Sequence, residues 1–113
     1  MAKQFKLSRD QIIPIAMGHG GCFATDMITV EGHPVRWMYR DEPHNPMDSG
    51  WRFFAGFESA EYINDLSNTA VYDVNTIANY DRTIIPLLSE PIGSAFERQG
   101  EVFVAVERTP RVD

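Results

Sequence analysis

The chain has one cysteine, Cys22, among 113 residues, which excludes an internal disulfide and a multi-cysteine metal site. Cysteine is among the residue types most often buried, so Cys22 reads as a buried strand residue rather than a reactive thiol. Long apolar runs are missing too. None approaches the roughly 18 residues that a membrane-spanning helix needs, and Met1–Lys6 offers no apolar stretch of signal-peptide length. The expected compartment is therefore the cytoplasm, with no membrane partner. Histidines number three, His19, His33 and His44, without HxxxH or HExxH spacing, so no metal and no cofactor is assigned. Gly18-His19-Gly20-Gly21-Cys22 is glycine-rich but lacks the Lys and Ser/Thr of a phosphate loop, and reads as a flexible entry to a strand.

Bases are nearly absent from the middle of the chain. Residues 41–81 carry eight acids (Asp41, Glu42, Asp48, Glu58, Glu61, Asp65, Asp73, Asp81) against Arg52 alone, a net −7 in a chain whose total is −6. Such a field repels phosphate backbones and removes nucleic acid as a partner, while it favours a cation or a basic protein. A solvated acidic surface that only maintains solubility accounts for the same composition.

What is present suffices for a packed core: 43% of residues are hydrophobic and 12% aromatic, in a length that suits one domain. The densest stretch is Asp48–Glu58. It reads as a short central strand entered and left through glycine, with Trp51 and Phe53 on one face and Arg52 and Phe54 on the other. Before it, Ser8 is an N-cap candidate with Gln11 at capping-box spacing, and Pro14 holds the helix it starts to one or two turns. Cys22–Val30 reads as a strand. Glu31–Pro34 is turn chemistry, and Val35–Arg40 alternates so that Val35, Trp37 and Tyr39 share a face. The two runs predict an antiparallel hairpin, followed by a loop over Asp41–Gly50.

After the central strand, Glu58–Leu66 spaces Tyr62, Ile63 and Leu66 for one face of a short helix, and Ala70–Val74 reads as a strand. Asn75 is the N-cap candidate for a helix through Tyr80, with a further helical turn broken at Pro86. Ser94–Arg98 and Val102–Glu107 form a closing hairpin, with Val102, Val104 and Val106 expected to face the core. The fold class is α+β: one small domain, a mostly antiparallel sheet of five or six short strands, and two to four short helices. The domain is placed at 22–108, after an extension over 1–21 holding the first short helix and before a polar tail over 109–113.

No catalytic constellation emerges, and the chain is read as non-enzymatic. The candidate binding residues are Glu42, Asp48, Trp51, Arg52, Glu58, Asp73, Asn75, Asn79, Tyr80 and Asp81. For Arg52, the sole base of the acidic stretch, an ion pair with Asp48, Glu42 or Glu58 is the simplest role. The aromatics outnumber what a small core hides, and Trp51, Phe57 and Tyr80 are the candidates for the surface. Aromatics beside carboxylates compose a protein-binding hot spot for a basic partner.

Four segments carry a resemblance: Met38–Pro43, Asp48–Gly56, Tyr72–Asp81 and Gly93–Arg98. They resemble the immunity protein 33 family of small bacterial proteins, over Cys22 to Val106. The resemblance implies an immunity role in bacterial polymorphic toxin systems, with no enzyme activity and no cofactor. The expectation that follows is a binding module that blocks a toxin through an acidic, aromatic-bearing face at 41–62 and 73–81. The alternative is a small enzyme or small-molecule binder with a polar pocket of Arg52, Asp73, Asn75, Asn79 and Tyr80. A third possibility is that the motifs only hold the fold together.

Overall fold

The computed structural model describes residues 3–107. Six strands, β1 (Gly21–Thr25), β2 (Trp37–Arg40), β3 (Asp48–Phe54), β4 (Thr69–Asp73), β5 (Ala95–Gln99) and β6 (Val102–Val106), form one sheet in the order β4-β1-β3-β2-β5-β6. Only the β1–β3 pair is parallel. Three short helices, α1 (Asp26–Thr29), α2 (Ala60–Asn64) and α3 (Val74–Tyr80), and three 3-10 segments complete the described chain. This is the α+β domain that the alternating patterns predicted.

The core lies between the sheet and α1 and α3. Cys22 and Ala24 from β1, Met38 from β2, Trp51 and Phe53 from β3 and Phe96 from β5 point towards Ile28, Val74, Ile77 and Ala78. Trp51 and Phe53 stack with ring centroids 6.1 Å apart, and the Trp51 indole N–H donates to the Leu88 carbonyl at 3.2 Å. That bond satisfies the polar atom a buried tryptophan carries inward.

Several expectations are corrected. The run from Cys22 to Val30 is a strand only to Thr25 and then turns helical, because Thr25, Ile28 and Thr29 are buried at i, i+3 and i+4. β1 and β2 make no hairpin: α1 carries the chain away, and β1 lies between β3 and β4. Asn75 is not the cap of α3. Asp73 takes that place and accepts the Asn75 N–H at 2.8 Å. Leu66 falls beyond α2 and is exposed.

In the closing hairpin the faces are reversed. Phe103, paired with Arg98, packs on the core, and Val102 and Val104 are exposed. A one-residue difference in strand parity exchanges the two faces completely.

β3 contains a distortion on which the sheet depends. Gly21 pairs with Asp48 but Phe23 pairs with Arg52, so β3 gains two residues over that interval. Gly50 lies within it at φ 91°, where a Cβ would collide with the Asp41 carbonyl oxygen. Only glycine fits there.

Candidate functional site

The Tyr72–Asp81 motif faces the N-terminal segment. Asn75, buried on α3, accepts the N–H groups of Ile15 and Ala16 through Oδ1 at 2.9 and 2.8 Å and donates through Nδ2 to the Ile13 carbonyl at 3.1 Å. One turn on, Asn79 accepts the Ile13 N–H at 3.1 Å and donates to the same carbonyl at 2.8 Å. The Tyr80 hydroxyl accepts from the Leu7 N–H at 3.2 Å and donates to the Thr29 carbonyl at 2.9 Å. The i, i+4 spacing of the two asparagines puts both on one face of α3. Together these side chains strap residues 7–16 to the domain.

The structure does not bring Arg52, Asp73, Asn75, Asn79 and Tyr80 together into the one polar pocket expected of them. Asp73 caps α3, the asparagines and the tyrosine hold backbone, and Arg52 points to the opposite side of the sheet. Arg52 forms a bidentate pair with Asp48, Nη1 to Oδ1 at 2.9 Å and Nη2 to Oδ2 at 2.8 Å, with both side chains under 10% exposed (6% and 8%). The guanidinium also lies 4.4 Å from the centre of the Phe23 ring. The hydrogen bonds from Arg52, with the His44 and Gly50 N–H groups behind them, hold the Asp48 carboxyl well below the usual carboxylate range despite its burial.

The other acids of the middle stretch are divided as well. Asp81 is buried, accepting the Val35 N–H at 3.0 Å and Arg98 Nη2 at 2.8 Å while it caps the 3-10 segment at Thr83. Glu58 accepts the N–H groups of Ala55 and Gly56 at 2.7 and 2.8 Å and the Thr25 hydroxyl. Asp65 binds Ser67. Glu42, Glu61 and Asp73 are exposed, on the β2–β3 loop, on α2 and at the end of β4. Trp51, expected at the surface, is fully buried, Tyr80 is half-buried, and Phe57 is 59% exposed. Asp48, Trp51, Arg52, Asn75 and Asp81 therefore support the fold rather than present a continuous outward surface.

The molecule does present the face of the sheet opposite α1 and α3. Strand register sets Phe23, Arg52, Tyr39, Ala95 and Val106 side by side in one row, and Phe54, Trp37, Glu97 and Val104 in the next. Tyr39 stacks on Phe54 with centroids 5.8 Å apart, and Trp37 lies 6.3 Å from Tyr39. Phe23, Trp37, Tyr39 and Phe54 are each half-buried. A groove of about 480 Å³ runs along Trp37, Tyr39 and Phe54 to Phe57 and Ile63, with Arg36, Glu58, Glu97 and Arg98 around it. Neither Phe23 nor this grouping was singled out from the sequence. The alternation Cys22-Phe23-Ala24 and Trp37-Met38-Tyr39 carries the signal, but only the strand order shows that the outward residues meet.

Among the described residues, no three His, Cys, Asp or Glu side chains are grouped to hold a metal ion, and no helix is long and apolar enough to cross a membrane. Cys22 is 1% exposed, and burial pushes its thiol pKa strongly upward, with the nearby Asp73 carboxylate adding to the shift. Fold and side chains thus define a small α+β domain whose polar motif holds the N-terminal segment and whose open sheet face is aromatic. Residues 22–106 match the Immunity protein Imm33 domain, most of the chain, and the chain belongs to that family. No curated protein and no solved structure matches it.

Proposed function

We propose that this chain is an immunity-type protein, without enzymatic activity of its own, that blocks a bacterial toxin by occupying its surface. Family membership supports the immunity role and a protein partner. The observation that carries the mode of binding is the outer sheet face: half-exposed aromatics beside the exposed Phe57, in a groove edged by Glu58 and Glu97. Rigid aromatics on strands supply contact area at little conformational cost, and the exposed Glu97, on a rim shared with Arg36 and Arg98, is placed to pair with a base of the partner. Glu42 contributes from the loop whose His44 packs on Phe23, and the net charge of −6 would steer a basic toxin towards the domain.

The test is growth protection. Candidate toxin domains from the gene's neighbourhood are expressed in a sensitive bacterium, each with the wild-type chain or with a Trp37→Ala/Phe57→Asp variant. The wild type restores growth and the folded variant does not, since loss of two hot-spot side chains weakens binding by about 2 kcal/mol or more. Full protection by a folded variant removes this face from the mechanism.

A further inference from the structure

β6 closes the sheet on one side, and among the described residues nothing pairs with its outer edge. Its sequence, Val102-Phe103-Val104-Ala105-Val106, is rich in β-branched residues, with Val102 62% and Val104 37% exposed. Within Val102–Val106 there is no proline, no lysine and no bulge in the pairing with β5, three devices that commonly protect an edge. The Gly100 turn, at φ 67°, holds it flush against β5 over five paired positions.

We infer that β6 is a docking edge for an extended segment of a partner protein that carries lysine or arginine, added as a seventh strand. This deepens the proposed toxin-binding role and rests on it, since the added strand would extend the outer face by one row. The charge around the edge selects the occupant. Glu97, Glu101 and Glu107 are exposed, whereas Arg98, the base between them, turns inward to Asp81. Glu97 and Val104 are direct neighbours on the outer face. A partner side chain beside Val104 stands two strand spacings from the Glu97 backbone, about 10 Å, within the combined reach of a lysine and a glutamate. A second copy of the chain fits less well. Antiparallel pairing of two β6 strands centred on Val104 sets Glu101 against Glu107 at both ends, and like charges directly opposite are destabilising.

The experiment uses two synthetic heptapeptides of alternating threonine and valine, one with lysine at its centre and ends and one with glutamate at those positions, titrated into the whole chain by calorimetry. Amide exchange is followed by NMR in parallel. The lysine peptide binds about tenfold tighter, as two charge pairs of this kind allow, and slows exchange within Val102–Val106. In Glu97→Lys/Glu101→Lys the preference reverses to the glutamate peptide. Equal affinity for both peptides, no binding of either, or protection confined to β4 overturns the proposal. So does a concentration-dependent dimer of the chain alone with β6 protected, which assigns the edge to self-association. No toxin enters this measurement. If the peptides fail while growth protection still depends on Trp37 and Phe57, the edge proposal falls and the proposed function stands.

Discussion

Replacement of Asn75 by alanine tests whether the Tyr72–Asp81 motif is a strap or a binding surface. The change deletes two hydrogen bonds from Ile15 and Ala16 and one to Ile13. A protein hydrogen bond contributes a net of about 0.5–1.5 kcal/mol, and a buried donor left without a partner costs about 1–3 kcal/mol. Three lost bonds therefore total roughly 1.5–4.5 kcal/mol if the strap remains in place. The strap can instead peel away and hydrate its amides, which caps the loss at what the segment contributes through the buried Ala16 and the half-buried Ile15. The expected destabilisation is about 2–4 kcal/mol. Asn75→Asp keeps both acceptor bonds but turns a carboxylate oxygen against the Ile13 carbonyl and buries an unpaired charge. At pH 7 it should therefore be at least as destabilising as the alanine. Urea unfolding measures the two variants, and amide exchange at Ile15 and Ala16 locates the effect. If Asn75→Ala unfolds within about 0.5 kcal/mol of wild type with those two amides still protected, the strap is held by something other than α3.

Three further outcomes follow from the geometry. Gly50→Ala combines a positive φ with a collision against the Asp41 carbonyl, and should cost at least 1–3 kcal/mol in urea unfolding, roughly the strain of such a backbone. The folded-state pKa of Asp48 is depressed, so its contribution is complete above the unfolded carboxylate value and lost as pH falls through the folded one. Asp48→Asn should therefore be several kcal/mol less stable than wild type at pH 7, because it strands the buried Arg52 charge, and the gap should narrow below about pH 4. Adding Arg52→Met should recover part of the loss. Cys22 should react with a thiol reagent only on unfolding, with a labelling rate that tracks the denaturant curve; rapid labelling of the native chain would contradict its burial.

The central strand was legible because its alternation is unambiguous: Trp51 and Phe53 share one face and Arg52 and Phe54 the other, although which face turns inward was not. The Arg52–Asp48 pair was legible too, since a lone base among acids has few other partners. The reading failed where a residue's best local role is overridden at long range. Asn75 has the chemistry of a helix cap, but a cap two residues earlier at Asp73 frees it to reach Ile13, Ile15 and Ala16. Trp51 looked like an exposed anchor because its sequence neighbours are polar, whereas a partner for its indole nitrogen, the Leu88 carbonyl, lies 37 positions away. The acidic composition of residues 41–81 is real, yet strand order and local pairing scatter it. The parity of β6 turned on Phe103 outcompeting three valines for the core, which a short alternating run does not reveal.

The grip of α3 on the N-terminal strap involves main-chain atoms alone. The amides of Ile13, Ile15 and Ala16 and the carbonyl of Ile13 are the groups held. A contact of that kind is indifferent to most side chains and intolerant of one: proline, at any position whose N–H is gripped. Pro14 occupies the only slot in 13–16 where no amide hydrogen is required. The exposed positions of the segment can thus be rewritten without loosening it, with Ile15 and Ala16 still bound to the core by packing, provided the imino acid stays at that slot and does not move to its neighbours.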